Sequence, residues 1–189
     1  MTLPLRINLH GGSGVGKSAL AARLFADLKA AGIEKLELVK EWIKQWAWEG
    51  KTCDEFDQCK VFGEQLYAEH SLLKLGVSLI TDSPIQMQIP YVLRSKEKST
   101  ALLFARGLTD IASSFDKRWS HIDFFVDRSF VFKQADGRYE DLNGAKEMDL
   151  AIVRHLGTVS DGNFFVIKPV KDYDFILRTC KKALSEQCT

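Results

Sequence analysis

The chain has 189 residues, 46% of them hydrophobic, and its 26 Lys and Arg nearly balance its 25 Asp and Glu to leave a net charge of +1. This composition is typical of one globular domain over 1–189 and argues against a disordered chain, which is less apolar and more highly charged. The near-neutral sum also argues against a protein that coats nucleic acid by bulk positive charge.

Segments with strand and helix patterns alternate along the chain. Strands are predicted at 5–10, 36–39, 77–81, 122–126 and 164–167. Helices are predicted at 17–31, in the tryptophan-rich stretch 42–50, and at 54–75, 99–115, 144–156 and 172–185. Strands separated by helices indicate a parallel sheet covered on both faces. We therefore expect an α/β protein with three layers and a parallel five-stranded sheet.

The cysteines and the first residues bear on the compartment. Cys53, Cys59, Cys180 and Cys188 lack the spacing of a metal or redox motif, so free thiols are expected. The segment 1–10 is too short and too soon followed by glycines to be a signal peptide. No stretch approaches the roughly 20 apolar residues of a membrane span. These features predict a cytoplasmic protein without a membrane partner.

The first predicted strand leads into a segment that matches G-x-x-x-x-G-K-[ST], the phosphate loop of nucleotide-binding proteins. Its glycines let successive N–H groups point at phosphate oxygens, next to the positive N-terminus of the following helix. Lys17 would reach the β- and γ-phosphates, and the Ser18 hydroxyl would bind Mg²⁺. The predicted nucleotide-binding residues are Gly11, Gly12, Ser13, Gly14, Val15, Gly16, Lys17, Ser18 and Ala19.

The rest of the chain narrows the class of nucleotide-binding protein. The guanine-specific motif N-K-x-D and the transporter signature L-S-G-G-Q are both absent from the sequence. A D-x-x-G match at 141–144 has no strand directly before it, so we interpret it as coincidental. The length is too small for a motor ATPase with a helical lid domain. A kinase that uses ATP and Mg²⁺ is therefore favoured.

Two acids lie where a kinase needs them, at the ends of predicted strands. Glu41 follows the second strand and Asp82 follows the third, and ligands of open α/β sheets bind at the carboxyl ends of strands. A kinase needs one carboxylate to accept the alcohol proton and often another for Mg²⁺. We predict Glu41 as the base and Asp82, with Ser18, as metal ligands, although the two acids could exchange roles. Both acids also suit the start of a helix.

Aromatic and polar residues after Glu41 are candidates for contacts with the acceptor. Trp42, Trp46 and Trp48 would stack on a flat ring or pack in the core. Four residues of the next predicted helix are further candidates, namely Gln58, Glu64, Gln65 and Tyr67.

A lid is predicted at 127–142, after the fourth strand. Its residues Arg128 and Arg138 would clamp the transferred phosphoryl group and neutralise its charge, which makes them candidate catalytic residues beside Lys17, Glu41 and Asp82. The alternative is that both arginines are solvated surface residues.

Over about 5–156 the chain resembles the ribosylnicotinamide-kinase domain of bifunctional NAD-biosynthesis regulators and the small phage relatives of that domain. The resemblance rests on the ordered segments GGSGVGKS, ELVKEWIKQWAWEG, FGEQLYAEH, LITDSP and DGRYEDLNGAKEMDLAI. It implies a P-loop NTPase fold with ATP and Mg²⁺ at Lys17 and Ser18, a site role for Asp82, an acceptor-side role for Glu41 and a lid position for Arg138. No adenylyltransferase domain accompanies the kinase segments, and the cluster of tryptophans after Glu41 is heavier than in the NAD-biosynthesis regulators. Both features favour the phage relatives.

We therefore expect an ATP-dependent kinase that phosphorylates a hydroxyl of a nucleoside-like acceptor. The resemblance favours 5-hydroxymethyluracil in phage-type DNA, in the host cytoplasm. Basic residues that would line a DNA groove are Arg94, Lys96, Lys98, Lys117 and Arg118, unless they are solvated surface charges. The alternatives are a kinase of a free nucleoside or nucleotide, including one like ribosylnicotinamide, and a regulatory ATPase without a dedicated acceptor. The sequence leaves the choice between ATP and GTP and the oligomeric state open.

Overall fold

A computed structural model describes residues 3–128, 141–160 and 162–186. Within these ranges five strands form one sheet in the order β2-β3-β1-β4-β5, and all neighbouring strands are parallel. The strands are β1 (Arg6–His10), β2 (Leu36–Val39), β3 (Ser78–Thr81), β4 (His121–Val126) and β5 (Phe165–Ile167). The parallel five-stranded sheet predicted from the sequence is thus confirmed.

Helices connect the strands. They are α1 (Lys17–Ala30), α2 (Lys44–Trp48), α3 (Glu55–Lys74), α4 (Ile85–Val92), α5 (Lys98–Arg118), α6 (Leu142–Val159) and α7 (Tyr173–Ser185). None of the helices in the described part of the chain has the combination of length and hydrophobicity needed to cross a membrane.

The helix α4 was not predicted from the sequence. Nearly all of its side chains are buried, so it lacks the polar face that produces a helical repeat of hydrophobicity. Pro90 also lies inside it, and a proline ordinarily indicates the end of a helix. The packing of α4 against its neighbours therefore determined a helix that local patterning does not reveal.

The helices lie on both faces of the sheet, as predicted. Neighbouring strand residues point to opposite faces, so Phe124 of β4 packs with α1 and α7, whereas Phe125 packs with α4 and α6. In β3, Leu79 belongs to the core under α3, α4 and α5, and Ile80 to the core under α1 and α7. This three-layer arrangement brings the C-terminal ends of β1, β2, β3 and β4 to one edge.

A buried group of charges joins the start of β1 to α3 and α5. Arg6 is fully buried, and its Nε donates to Glu69 Oε2 at 3.1 Å while its Nη1 donates to Asp116. Its guanidinium also lies 4.5 Å from the centroid of the Phe115 ring. Burial opposes the positive charge, but the carboxylates of Glu69 and Asp116 hold the pKa of Arg6 above its ordinary value. The opposite end of the sheet from the phosphate loop is thus held by ion pairs.

At the other end of β1, a second buried group joins this strand to β4. The carboxylate of Asp123 accepts from Asn8 Nδ2 at 2.8 Å and lies 2.9 Å from His10 Nε2. Burial would raise the pKa of Asp123, but the hydrogen bond and charge of His10 lower it to about 2. These contacts fix the strand end from which the phosphate loop leaves.

Candidate active site

The phosphate loop, residues 11–18, lies between β1 and α1 and needs glycine at its first two positions. Gly11 has φ +141°, and a Cβ there would lie 3.1 Å from the carbonyl oxygen of Val126. A Cβ on Gly12 would lie 2.6 Å from Asp149 Oδ1 and 2.8 Å from the carbonyl oxygen of Ala145. The loop therefore packs directly against α6, too closely for any side chain at Gly12.

Lys17 lies at the start of α1 and folds back over the loop. Its Nζ donates to the carbonyl oxygens of Gly11 at 2.6 Å and Gly12 at 2.9 Å. Helix α1 begins after Gly16, whose left-handed conformation has φ 94° and which has no side chain to cap the helix. No described side chain caps the start of α1, which suits the anion-binding role that the motif predicts for this end of the helix.

One cleft of about 890 Å³ is lined by the phosphate loop and by Glu41, which follows β2. Its lining includes Lys17 and Ser18 of the loop and residues of α2, α3 and α4. The described lining residues are Ser13, Gly14, Gly16, Lys17, Ser18, Ala19, Glu41, Ile43, Lys44, Ala47, Trp48, Cys53, Gln58, Gln88, Tyr91, Arg94, Asp141 and Gly144. Such a volume is typical of small-ligand sites.

The two predicted carboxylates lie together but differ in access to the cleft. Asp82 is buried, and its Oδ1 accepts the backbone N–H of Glu41 at 3.0 Å. Glu41 is half-buried and lines the cleft. Its burial raises its pKa, the positive charge of Lys17 opposes that shift, and the negative charge of Asp82 adds to it. Asp82 does not cap α4, since the residue at the cap position is Pro84.

The oxygen donors around the cleft fit Mg²⁺. The Ser18 hydroxyl is exposed in the cleft, and Asp82 retains a second carboxylate oxygen beside the one that accepts from Glu41. Among the described residues, no group of three or more His, Cys, Asp and Glu could hold a metal ion. Mg²⁺ in kinases usually takes one or two protein ligands and completes its shell with phosphates and water. Ser18 and Asp82 each offer an oxygen, and their role as ligands of an ion that arrives with a nucleotide stays a prediction.

Of the aromatic and polar candidates on the acceptor side, Trp48 and Gln58 line the cleft. Trp42 and Trp46 pack edge to face with ring centroids 5.2 Å apart, and neither is among the lining residues. The expectation that helix α3 contributes three more contacts is not met. Glu64 and Tyr67 are not lining residues, and Gln65 is buried, where it donates to Glu69 and Thr81.

Of the lid predicted at 127–142, the structure describes residues 127, 128, 141 and 142. Arg128, directly after β4, donates from Nε to Asp149 Oδ2 at 2.8 Å and from Nη1 to the Ser13 carbonyl at 2.9 Å. Arg138 and most of the segment 127–142 lie outside the described residues. At its end, Asp141 caps α6 by accepting from the N–H of Gly144 at 2.8 Å. The clamping role of the two arginines stays a prediction.

The basic residues proposed for a DNA groove do not form one surface. Arg94 lines the cleft, but Lys117 and Arg118 occupy the last turn of α5, just before β4 begins. Because β1 and β4 are parallel, the start of β4 lies at the edge opposite the phosphate loop. The expectation that Lys117 and Arg118 line an acceptor groove is therefore wrong, since the length of α5 separates them from the cleft.

Several residues of the site were not predicted from the sequence. Gln88 and Tyr91 reach the cleft from α4, and Asp149 contacts the phosphate loop from α6. Arg94, predicted only for a DNA groove, lines the same cleft. Asp149 lies 137 positions after Gly12, so no local motif could associate them.

No protein-family model and no curated protein matches this chain. Solved structures do resemble it. NadR in complex with NAD and AMP-PNP superposes with a TM-score of 0.72 at 10% identity, over 97% of this chain and 50% of the NadR chain. Thymidylate kinase from Candida albicans superposes with a TM-score of 0.66 at 17% identity, over 98% of this chain and 93% of the kinase chain. Deoxyadenosine kinase from M. mycoides superposes with a TM-score of 0.53 at 15% identity, over 96% of this chain and 99% of the kinase chain.

The chain thus spans half the length of the NadR chain that it matches and nearly all of the two kinases. At these identities the likeness concerns the fold. The three-layer P-loop NTPase fold that the sequence predicted is confirmed, and its solved neighbours are P-loop kinases.

Proposed function

We propose that the protein is an ATP-dependent kinase that phosphorylates a hydroxyl group of a free nucleoside or nucleotide. The observation that carries this proposal is the shared cleft, which is lined by Lys17 and the phosphate loop and also by Glu41. A phosphate-binding loop alone suits any nucleotide-binding protein. A carboxylate in the same cleft, with a raised pKa, is the additional group that transfer to an alcohol requires.

In the proposed reaction Glu41 accepts the proton of the acceptor hydroxyl. The acceptor oxygen then forms a bond to the γ-phosphorus of ATP, and the bond from that phosphorus to the β,γ-bridging oxygen breaks, so that ADP leaves. Lys17 and the N–H groups at the start of α1 stabilise the charge on the phosphate oxygens. Asp82 holds the backbone of Glu41 and thereby positions the base.

Mg²⁺, bound with ATP, would neutralise phosphate charge during transfer. The residues that would hold it are Ser18, through its hydroxyl, and Asp82, through the carboxylate oxygen that does not accept from Glu41.

Two features support a small nucleoside-like acceptor. The cleft has the volume of a small-molecule site, and Trp48, Tyr91 and Gln58 line its acceptor side with flat rings and an amide. The neighbours in fold are named as kinases of thymidylate and deoxyadenosine and as NadR in complex with NR. For 5-hydroxymethyluracil in DNA, which the sequence favoured, Lys117 and Arg118 lie at the wrong edge, so we place free nucleosides and nucleotides first.

The test uses ATP labelled in the γ-phosphate. Purified protein is incubated separately with free nucleosides, nucleoside monophosphates and hydroxymethyluracil-containing DNA. We expect label in one of the small molecules, and none with the Lys17→Ala variant. Label in DNA alone would contradict the choice of acceptor but preserve the kinase. Release of inorganic phosphate at the same rate with and without every acceptor would contradict the kinase and support the regulatory ATPase.

A further inference from the structure

An ion pair contacts the backbone of the phosphate loop, and neither of its residues is among those that line the cleft. Arg128 Nε donates to Asp149 Oδ2 at 2.8 Å, and the two side chains are only 11% and 14% exposed. The second carboxylate oxygen of Asp149 accepts the backbone N–H of Gly12 at 2.7 Å. A pair with so little exposure is screened by water far less than a surface pair. Asp149 thus joins the loop, α6 and the residue after β4.

The peptide group between Gly11 and Gly12 is held on both sides. No cis peptide bond occurs in the described residues, and in a trans peptide the carbonyl and the next N–H point in opposite directions. The Gly11 carbonyl accepts from Lys17 Nζ at 2.6 Å, and the Gly12 N–H donates to Asp149. Rotation of this peptide plane would therefore break two charge-assisted hydrogen bonds.

The same geometry applies two residues further along. The Ser13 carbonyl accepts from Arg128 Nη1 at 2.9 Å, so the N–H of Gly14, in the same peptide plane, points away from Arg128. Gly14 itself lines the cleft. Backbone N–H groups in such a loop are the donors that bind phosphate oxygens. Arg128 therefore sets the direction of one of these donors through the backbone.

We propose that Asp149 and Arg128 are positioning residues that hold the phosphate loop in its triphosphate-binding conformation before the nucleotide arrives. Asp149 retains the guanidinium of Arg128 against Ser13 and binds Gly12 directly, so loss of its charge weakens both contacts. A loop that is already ordered costs less free energy to bind its ligand. This inference rests on the nucleotide binding assumed in the proposed function, and it assigns a role to Asp149 that no motif indicates.

The experiment compares Asp149→Asn with the wild-type protein by calorimetric titration. Asparagine keeps the size of the side chain and an oxygen for Gly12 but lacks the charge that holds Arg128. We expect the Kd for ATP and for inorganic tripolyphosphate to rise by roughly tenfold to a hundredfold, as for the loss of charged hydrogen bonds. The Kd for adenosine, which has no phosphates, should not change. Glu147→Gln, an exposed position on the same helix, is the matched control.

A double-mutant cycle adds a second measurement. If the two residues act as one unit, Arg128→Gln combined with Asp149→Asn should weaken ATP binding by less than the sum of the two single changes. Arg128→Lys keeps the charge but not the planar fork, so it should bind ATP more tightly than Arg128→Gln does. It is the variant to measure if the others do not fold. Folded variants with the wild-type Kd for ATP and tripolyphosphate, or additive effects, would overturn the positioning role.

The titrations also separate this inference from the proposed function. Wild-type protein that binds ATP but transfers no phosphate would overturn the kinase alone, since the positioning role is judged by Kd. Wild-type protein that binds neither ATP nor tripolyphosphate would overturn both.

Discussion

The backbone N–H of Glu41 donates to Asp82 Oδ1 at 3.0 Å and so joins the C-terminal ends of β2 and β3. Only Glu41 of the two is among the residues that line the cleft, whereas Asp82 is 5% exposed beneath it. The two acids, interchangeable in the sequence, thus have different surroundings. This relationship supports the proposal that Glu41 is the base and that Asp82 positions it.

The first prediction concerns Glu41→Gln. Glutamine keeps the shape of the side chain but cannot accept the acceptor proton, so we expect phosphoryl transfer to fall by roughly 10²- to 10⁴-fold. The Kd for ATP should change far less than the transfer rate, because the loop N–H groups and Lys17, which bind the phosphates, are unchanged. Transfer rates with labelled ATP and calorimetric titration measure the two effects. Glu49→Gln, at an exposed position after α2, is the control, and full transfer by Glu41→Gln would show that another group is the base.

The second prediction follows from the raised pKa of Glu41. Burial is the main cause, and it makes the folded protein hold the Glu41 proton more tightly than the unfolded chain does. The contribution of this group to stability is therefore complete below its ordinary pKa and is lost as the pH rises through the folded value. Glu41→Gln, which is neutral at every pH, should raise Tm relative to wild type at pH 8.

The advantage of Glu41→Gln should shrink towards zero at pH 4. Thermal unfolding of both proteins across this pH range tests whether Glu41→Gln raises Tm at pH 8 and not at pH 4. A difference in Tm that does not depend on pH would show that Glu41 does not titrate in the way that its burial implies. Glu147→Gln, at an exposed position of α6, provides the comparison.

The third prediction contrasts two glycines. Gly12→Ala places a Cβ 2.8 Å from the Ala145 carbonyl, a backbone atom of α6, so it should destabilise the protein by about 1–3 kcal/mol and weaken ATP binding. Gly63→Ala lies in the exposed part of α3, where a Cβ meets nothing within 4 Å, and should stabilise the protein by about 0.5–1 kcal/mol. Denaturant unfolding distinguishes them, and effects of the same sign would contradict the close packing of the loop on α6.

The fourth prediction concerns the buried charges below β1. Arg6→Met leaves Glu69 buried without its cation, so we expect a loss of about 3–5 kcal/mol in the free energy of unfolding. Adding Glu69→Leu should restore part of this loss, because the unpaired charge is removed. Lys182→Met, which breaks an exposed pair with Glu186, should cost under about 0.5 kcal/mol. Equal losses for Arg6→Met and Lys182→Met would contradict the burial argument.

The phosphate loop and the strands could be predicted because their signals are contiguous. Eight successive residues specify the loop, and short apolar runs between helices specify a parallel sheet. Glu41 and Asp82 were found for the same reason, since each lies within two residues of the end of its strand. In contrast, α4 has no polar face, and the contact of Asp149 with Gly12 depends on the packing of α6 against the loop.

By itself, then, the sequence determined the fold class, the phosphate loop and the two acids at neighbouring strand ends, because these follow from local patterns and from the rules of parallel sheets. Only the tertiary structure decided which acid lines the cleft, which side chains of α4 line it, and which side chains bind the backbone of the phosphate loop. It also showed that Lys117 and Arg118 lie at the edge of the sheet opposite the phosphate loop. Those relationships depend on which distant segments pack together, and burial and hydrogen bonding across the whole chain determine that packing.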